Sequence, residues 1–171
     1  MLIDCSYFVS GQRQIQNATL GTPSPLNKNA EEVNRIILSY ISEFQESFLN
    51  NILGIKNGYC VNRYLLEIDS NAETERIEVY DKVCEKLKES FADYVFFHIL
   101  RYSGQHATIT GLVKLKGANE YLSPITRQVL IWNTMVERNR RFVEWVGSCD
   151  CGLPDISVSS NMTTRINTFN L

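Results

Sequence analysis

At 171 residues, with a net charge of −2 and 44% apolar side chains, the chain has the make-up of one globular domain able to bury a sizeable core. The near-neutral balance excludes bulk attraction to nucleic acid, and no window reaches the roughly 18–20 apolar residues of a membrane span. Five cysteines (Cys5, Cys60, Cys84, Cys149, Cys151) follow no framework spacing and the start MLIDCSYFVSG is unlike a secretory leader, so reduced thiols in a cytosol are expected.

Along the chain, Ile3, Cys5, Tyr7 and Val9 alternate with polar neighbours, Phe8 excepted, which is the period of a half-buried strand ended by Gly11. Loop residues follow, and residues 1–28 read as an arm whose strand needs a distant partner. The first long helix is expected over 30–53, capped by Asn29 and striped by Val33, Ile36, Ile37, Tyr40, Ile41, Phe44, Phe48, Leu49, Ile52 and Leu53. Asn57-Gly58 reads as a turn, and 55–72 has no assigned structure. A second helix spans 73–103 with a bend or break allowed near Ser90, and it is apolar nearly all round from Tyr94 to Leu100. Residues 105–117 alternate as a strand or open hairpin with a bulge at Gly111. Ser123-Pro124 starts a third long helix over 124–146 that buries Ile125, Val129, Trp132, Val136, Val143 and Val146, widened by Met135 and Phe142. Its exposed side holds Arg127, Arg138, Arg140 and Arg141.

From 148 to 171 the chain is polar, with Ile156, Val158, Met162 and Ile166 on one parity. That is a strand pattern able to add itself to another molecule's sheet. The fold class is therefore mainly α: a bundle of three to four helices (29–147), a short β or extended insertion, and extended arms at both ends. Charge is segregated. Residues 67–93 carry nine acids against four bases, and 101–141 seven bases against two acids. Two solvated faces are one reading; a molecule with one negative and one positive side, suited to head-to-tail association, is the other.

No motif carries catalysis. Cys149-Asp150-Cys151 is the most metal-like element, but His98 and His106 do not complete a zinc spacing. His98 reads as a core histidine, His106 as an exposed one after a helix end. Glu78, Asp81, Glu85 and Glu89 share helical spacing without the Glu-x-x-His of a diiron bundle. No cofactor is implied. A nucleic-acid-binding regulator using the basic helix 124–146, or a small cytosolic thiol or metal enzyme built around His98, Cys84 or the acidic helix, are the alternatives.

Three stretches carry a resemblance: NRIILSYISEFQESFLNNILG, YVFFHILRYSGQHATITGLVKLKG and SPITRQVLIWNTMVERNRRFVEWV. In order and spacing they resemble the small head–tail connector proteins of tailed bacteriophages, especially a family of phages and prophages of Bacteroides-type hosts. The likeness covers residues 30–146. It implies a non-enzymatic virion protein of the neck, made in the host cytoplasm. It further implies a ring of such subunits, typically twelve, between the portal protein and the next tail or adaptor ring, lining the channel for packaged DNA, with no membrane partner. Lys114, Lys116, Arg127, Arg138, Arg140 and Arg141 are then the expected contacts to portal, channel or neighbouring subunit. Ile156, Val158, Met162 and Ile166 are the strand a neighbour completes.

Overall fold

The computed structural model describes residues 1–21, 27–70, 74–103, 105–108, 111–114, 124–148 and 152–169, the strands by their backbone only. The protein is mainly helical, with α1 (Lys28–Leu53), α2 (Ile55–Ser70), α3 (Glu78–Ser103) and α4 (Pro124–Ser148) forming a bundle. The helices form two hairpins, α1 on α2 and α3 on α4, and α3 also packs against α1.

Helix α1 begins where the Asn27 side chain accepts the Ala30 N–H at 3.1 Å, two residues before the expected Asn29 cap. Its stripe of Ile37, Ile41, Phe48, Leu49, Ile52 and Leu53 is buried, whereas Ile36 is exposed. Asn34 and Gln45 complete the buried face, each with its amide oxygen and nitrogen hydrogen-bonded. Gly54, at φ +82°, reverses the chain directly into α2.

Helix α2 replaces the turn expected at Asn57-Gly58. The glycine is there for proximity: a Cβ at Gly58 would stand 2.7 Å from the Asn50 backbone, so only a bare Cα lets the two helices meet. Helix α3 starts at Glu78, later than expected, because the Tyr64 hydroxyl bridges its entrance. The hydroxyl accepts the Ile77 N–H at 3.1 Å and donates to Asp81 at 2.8 Å. It then runs unbroken through Ser90, and Phe91 to Phe97 are all buried. Phe48 stacks near Phe91 and Tyr94 on the α1 side, while Trp132 meets Phe97 on the α4 side. After α3, β1 (Gln105–Thr108) pairs antiparallel with β2 (Gly111–Lys114). Gly111 pairs with Thr108 in regular register, so no bulge interrupts the described strands there. The remainder of the expected extended segment, Lys116 and His106's side chain included, lies outside the described residues.

Helix α4 buries the expected face in part. Met135, Val136 and Phe142 are buried and Trp132 and Val146 pack half-buried on the core, but Ile125 and Val143 are exposed, and Gln128, Ile131 and Asn139 join the inward side. Two polar residues sit in this face because each meets a polar target: the Gln128 amide donates to the Leu100 carbonyl, and Asn139 bonds Ser90 and Met162.

Neither terminus is an extended arm. The N-terminal strand is absent; a 3-10 turn at Cys5–Phe8, capped by Asp4 on the Ser6 N–H, is followed by another at Gly11–Arg13. Leu2, Cys5 and Phe8 recur every three residues and are buried with Ile3, so period three overrides the alternation seen in sequence. The C-terminal segment forms no strand among its described residues. Ile156, Val158 and Ile166 pack half-buried on the core and Met162 is buried in it, around a 3-10 turn at Ser160–Thr163. Each terminus is a strap laid across the protein's own body.

Candidate interaction surface

The seam between α3 and α4 gathers most of the chain's unusual chemistry. An acid stands inside the apolar run FADYVFF, and Asp93 is only 2% exposed. A buried carboxylate needs compensation, and two arginines supply it from different elements. Arg13 of the N-terminal strap reaches Asp93 at 2.9 Å and Glu89 at 2.7 Å; Arg138 of α4 pairs with Asp93 and stands 3.4 Å from Glu89. Burial pushes the Asp93 carboxyl above its ordinary pKa against the pull of Arg138 and Arg13. The cluster locks strap, α3 and α4 at one point.

Beside it, Lys86, Glu89, Arg138, Arg141, Phe142 and Trp145 line a groove of about 210 Å³. The Lys86 ammonium lies 5.7 Å from the Trp145 ring centre. The groove thus offers cations on an aromatic floor, a surface for anionic groups.

The structure separates the residues expected to form one basic contact surface. Arg138 serves Asp93. Arg127 lies over the Phe96 ring at 4.9 Å and donates to the Gln12 carbonyl at 3.0 Å, pinning the N-terminal strap. Arg140 donates to the Thr163 carbonyl at 2.9 Å, pinning the C-terminal strap, and pairs with Glu137. Of the four helix arginines Arg127 and Arg141 make no ion pair among the described residues, and Arg141, which makes no hydrogen bond there either, remains exposed at the groove. Lys114 lies in β2, and Lys116 is outside the described residues. The four apolar tail residues pack on the protein's own core instead, with residues 154–159 against the α1–α2 corner and residues 162–166 along α4. Ile166 exchanges two hydrogen bonds with Asn133, and Trp132 donates to Thr164. The acidic and basic segments likewise pack on each other as α3 and α4, so much of their opposite charge is spent within the molecule.

A cleft of about 820 Å³ lies between the N-terminal strap, α2 and α3, with Cys84 in its wall. Its rim charges neutralise one another: Arg76 with Asp81, Lys88 with Glu85, and the terminal amine with Asp69. Burial pushes the Cys84 thiol up to about 12, leaving it protonated and unreactive at neutral pH. His98 stacks on Phe44 at 4.0 Å within Tyr94, Phe97 and Tyr102, its ring nitrogens buried without a hydrogen-bond partner; desolvation lowers it to about 4. Cys149 and Cys151 fall outside the described residues. Among the described residues no three His, Cys, Asp or Glu side chains converge as a metal ion requires.

Arg13, Lys86, Asp93 and Trp145 escaped the sequence reading. The signal for Asp93 was present: a lone carboxylate within a run buried on all sides must have a cationic partner elsewhere.

No family model matches the chain, and neither a curated protein nor a solved structure does. No helix among the described residues is long and apolar enough to cross a membrane.

Proposed function

We propose that this protein is a head–tail connector subunit of a tailed bacteriophage, one copy of a ring between portal and tail that lines the DNA channel. The observation that carries the reading is the order of elements that the resemblance calls for. A long aromatic helix, a short extended segment and a last long helix follow one another as α3, β1–β2 and α4. Around them, side chains are spent on rigidity. Buried polar residues clamp elements together, and the cleft beside the N-terminal strap holds a thiol that burial keeps protonated. The regulator reading is disfavoured because Arg127, Arg138 and Arg140 are committed to internal partners.

The test is protein mass spectrometry of purified intact particles. The subunit is expected at the copy number of the portal protein, typically twelve. Its absence from particles would overturn the reading.

A further inference from the structure

Of the exposed charges that make no ion pair among the described residues, two like-charged pairs stand beside apolar surface, with a single opposite charge next to each, Lys56 on α2 and Glu144 on α4. On the outer side of α1, Glu43 and Glu46 are exposed and in no ion pair among the described residues. At the α3–α4 groove the same holds for Lys86 and Arg141. Each group sits beside apolar surface. In the groove it is Phe142 and Trp145. On the α1–α2 hairpin it is Ile55, Tyr59 and Leu66, which are 80%, 57% and 53% exposed and fall on one stripe of α2 by helical spacing. The register set by Asn50 against Gly58 and Gln45 against Asn62 brings Glu46 within one turn of Tyr59.

From this we infer that the outer face of the α1–α2 hairpin docks into the α3–α4 groove of a second copy. Glu43 and Glu46 meet Lys86 and Arg141, and the α2 apolar stripe covers the Trp145–Phe142 floor. Within one chain the two faces cannot meet, because α3 lies between α1 and α4. The contact joins unlike surfaces, so it propagates head to tail and closes only as a ring. A second copy is favoured over nucleic acid because the complementary face, acidic and apolar together, is on the same molecule. The inference deepens the connector reading and rests on it for the expectation that copies associate.

Charge exchange tests it. Sedimentation velocity of the full chain at low salt should show concentration-dependent oligomers that weaken as salt rises. K86E/R141E and E43K/E46K should each raise the midpoint concentration for association at least tenfold. An equimolar mixture should restore it, because every junction then joins opposite charges. Recovery in the mixture also shows that both variants are folded, and Tyr59→Glu should weaken association that no mixture rescues. A wild-type chain that stays monomeric at high concentration, or a mixture that fails to recover, overturns the proposal. So does salt-sensitive duplex binding lost in K86E/R141E when the wild type does not self-associate. Particles containing the subunit at portal copy number but indifferent to both reversals overturn the docking surface alone. Charge-swap rescue in a protein absent from particles overturns the connector reading alone.

Discussion

The two straps are fixed by opposite means. The N-terminal strap holds on with its own side chains: Leu2, Ile3, Cys5 and Phe8 are buried, and Arg13 supplies the buried acid with a partner. The C-terminal strap is held chiefly by side chains that belong to α4. Trp132, Asn133, Asn139 and Arg140 donate to the carbonyls of Thr164, Ile166, Met162 and Thr163, and Met162 is the strap's one buried apolar anchor. One segment carries its address in its own residues; the other is addressed by the surface it lies on. Apolar anchoring scales with buried area, whereas each hydrogen bond adds only a modest net term, so the first strap should be the costlier to release.

That ranking can be broken experimentally. Phe8→Ala removes a fully buried ring packed toward Phe96, and should cost about 3–5 kcal/mol in denaturant unfolding. A loss below about 1 kcal/mol would mean the N-terminal strap is no more firmly seated than the other. Asn139→Ala leaves the Ser90 hydroxyl and the Met162 carbonyl without their partner, at about 1–3 kcal/mol. Hydrogen exchange should rise around residues 160–166 while the N-terminal strap stays protected. Equal loosening of both straps would show that they are one cooperative unit. The smallest effect comes from a site that belongs to neither. His98 is held neutral, with its pKa lowered to about 4, so the unfolded chain binds a proton between that value and the ordinary 6.5 that the folded protein does not. Stability therefore falls as pH drops through this window, by an amount reduced by the ring's partial exposure to solvent. His98→Phe should flatten that slope in thermal melts from pH 7 to pH 4, and an unchanged slope would assign it to the carboxylates.

The same contrast explains what could be read from the residues. Helices α1, α3 and α4 were legible because their apolar spacing repeats over six or seven turns. Helix α2 was not, because Gly58 is equally a turn residue and a point of close helix contact, and only the position of Asn50 distinguishes them. The N-terminal segment satisfies two periods at once, and the choice fell to Phe8, the residue that the strand reading had to set aside. The C-terminal strap was misread for a deeper reason: the information that seats it lies in Asn133 and Asn139 of another helix. On α4 itself Gln128 and Asn139 take inward positions that an apolar stripe would not assign them, while Ile125 and Val143 are exposed. The internal partners of the basic residues were hidden in the same way, since an arginine's spacing does not reveal a carbonyl or a buried acid waiting across the fold.

Helix α3 between Phe91 and Phe97 has no solvent side. Such a helix has no position at which drift is free, because every exchange displaces a neighbour from α1, α4 or a strap. Divergence in this stretch can proceed only through matched changes on two elements at once. The axle of the molecule is therefore also where its ancestry should stay readable longest.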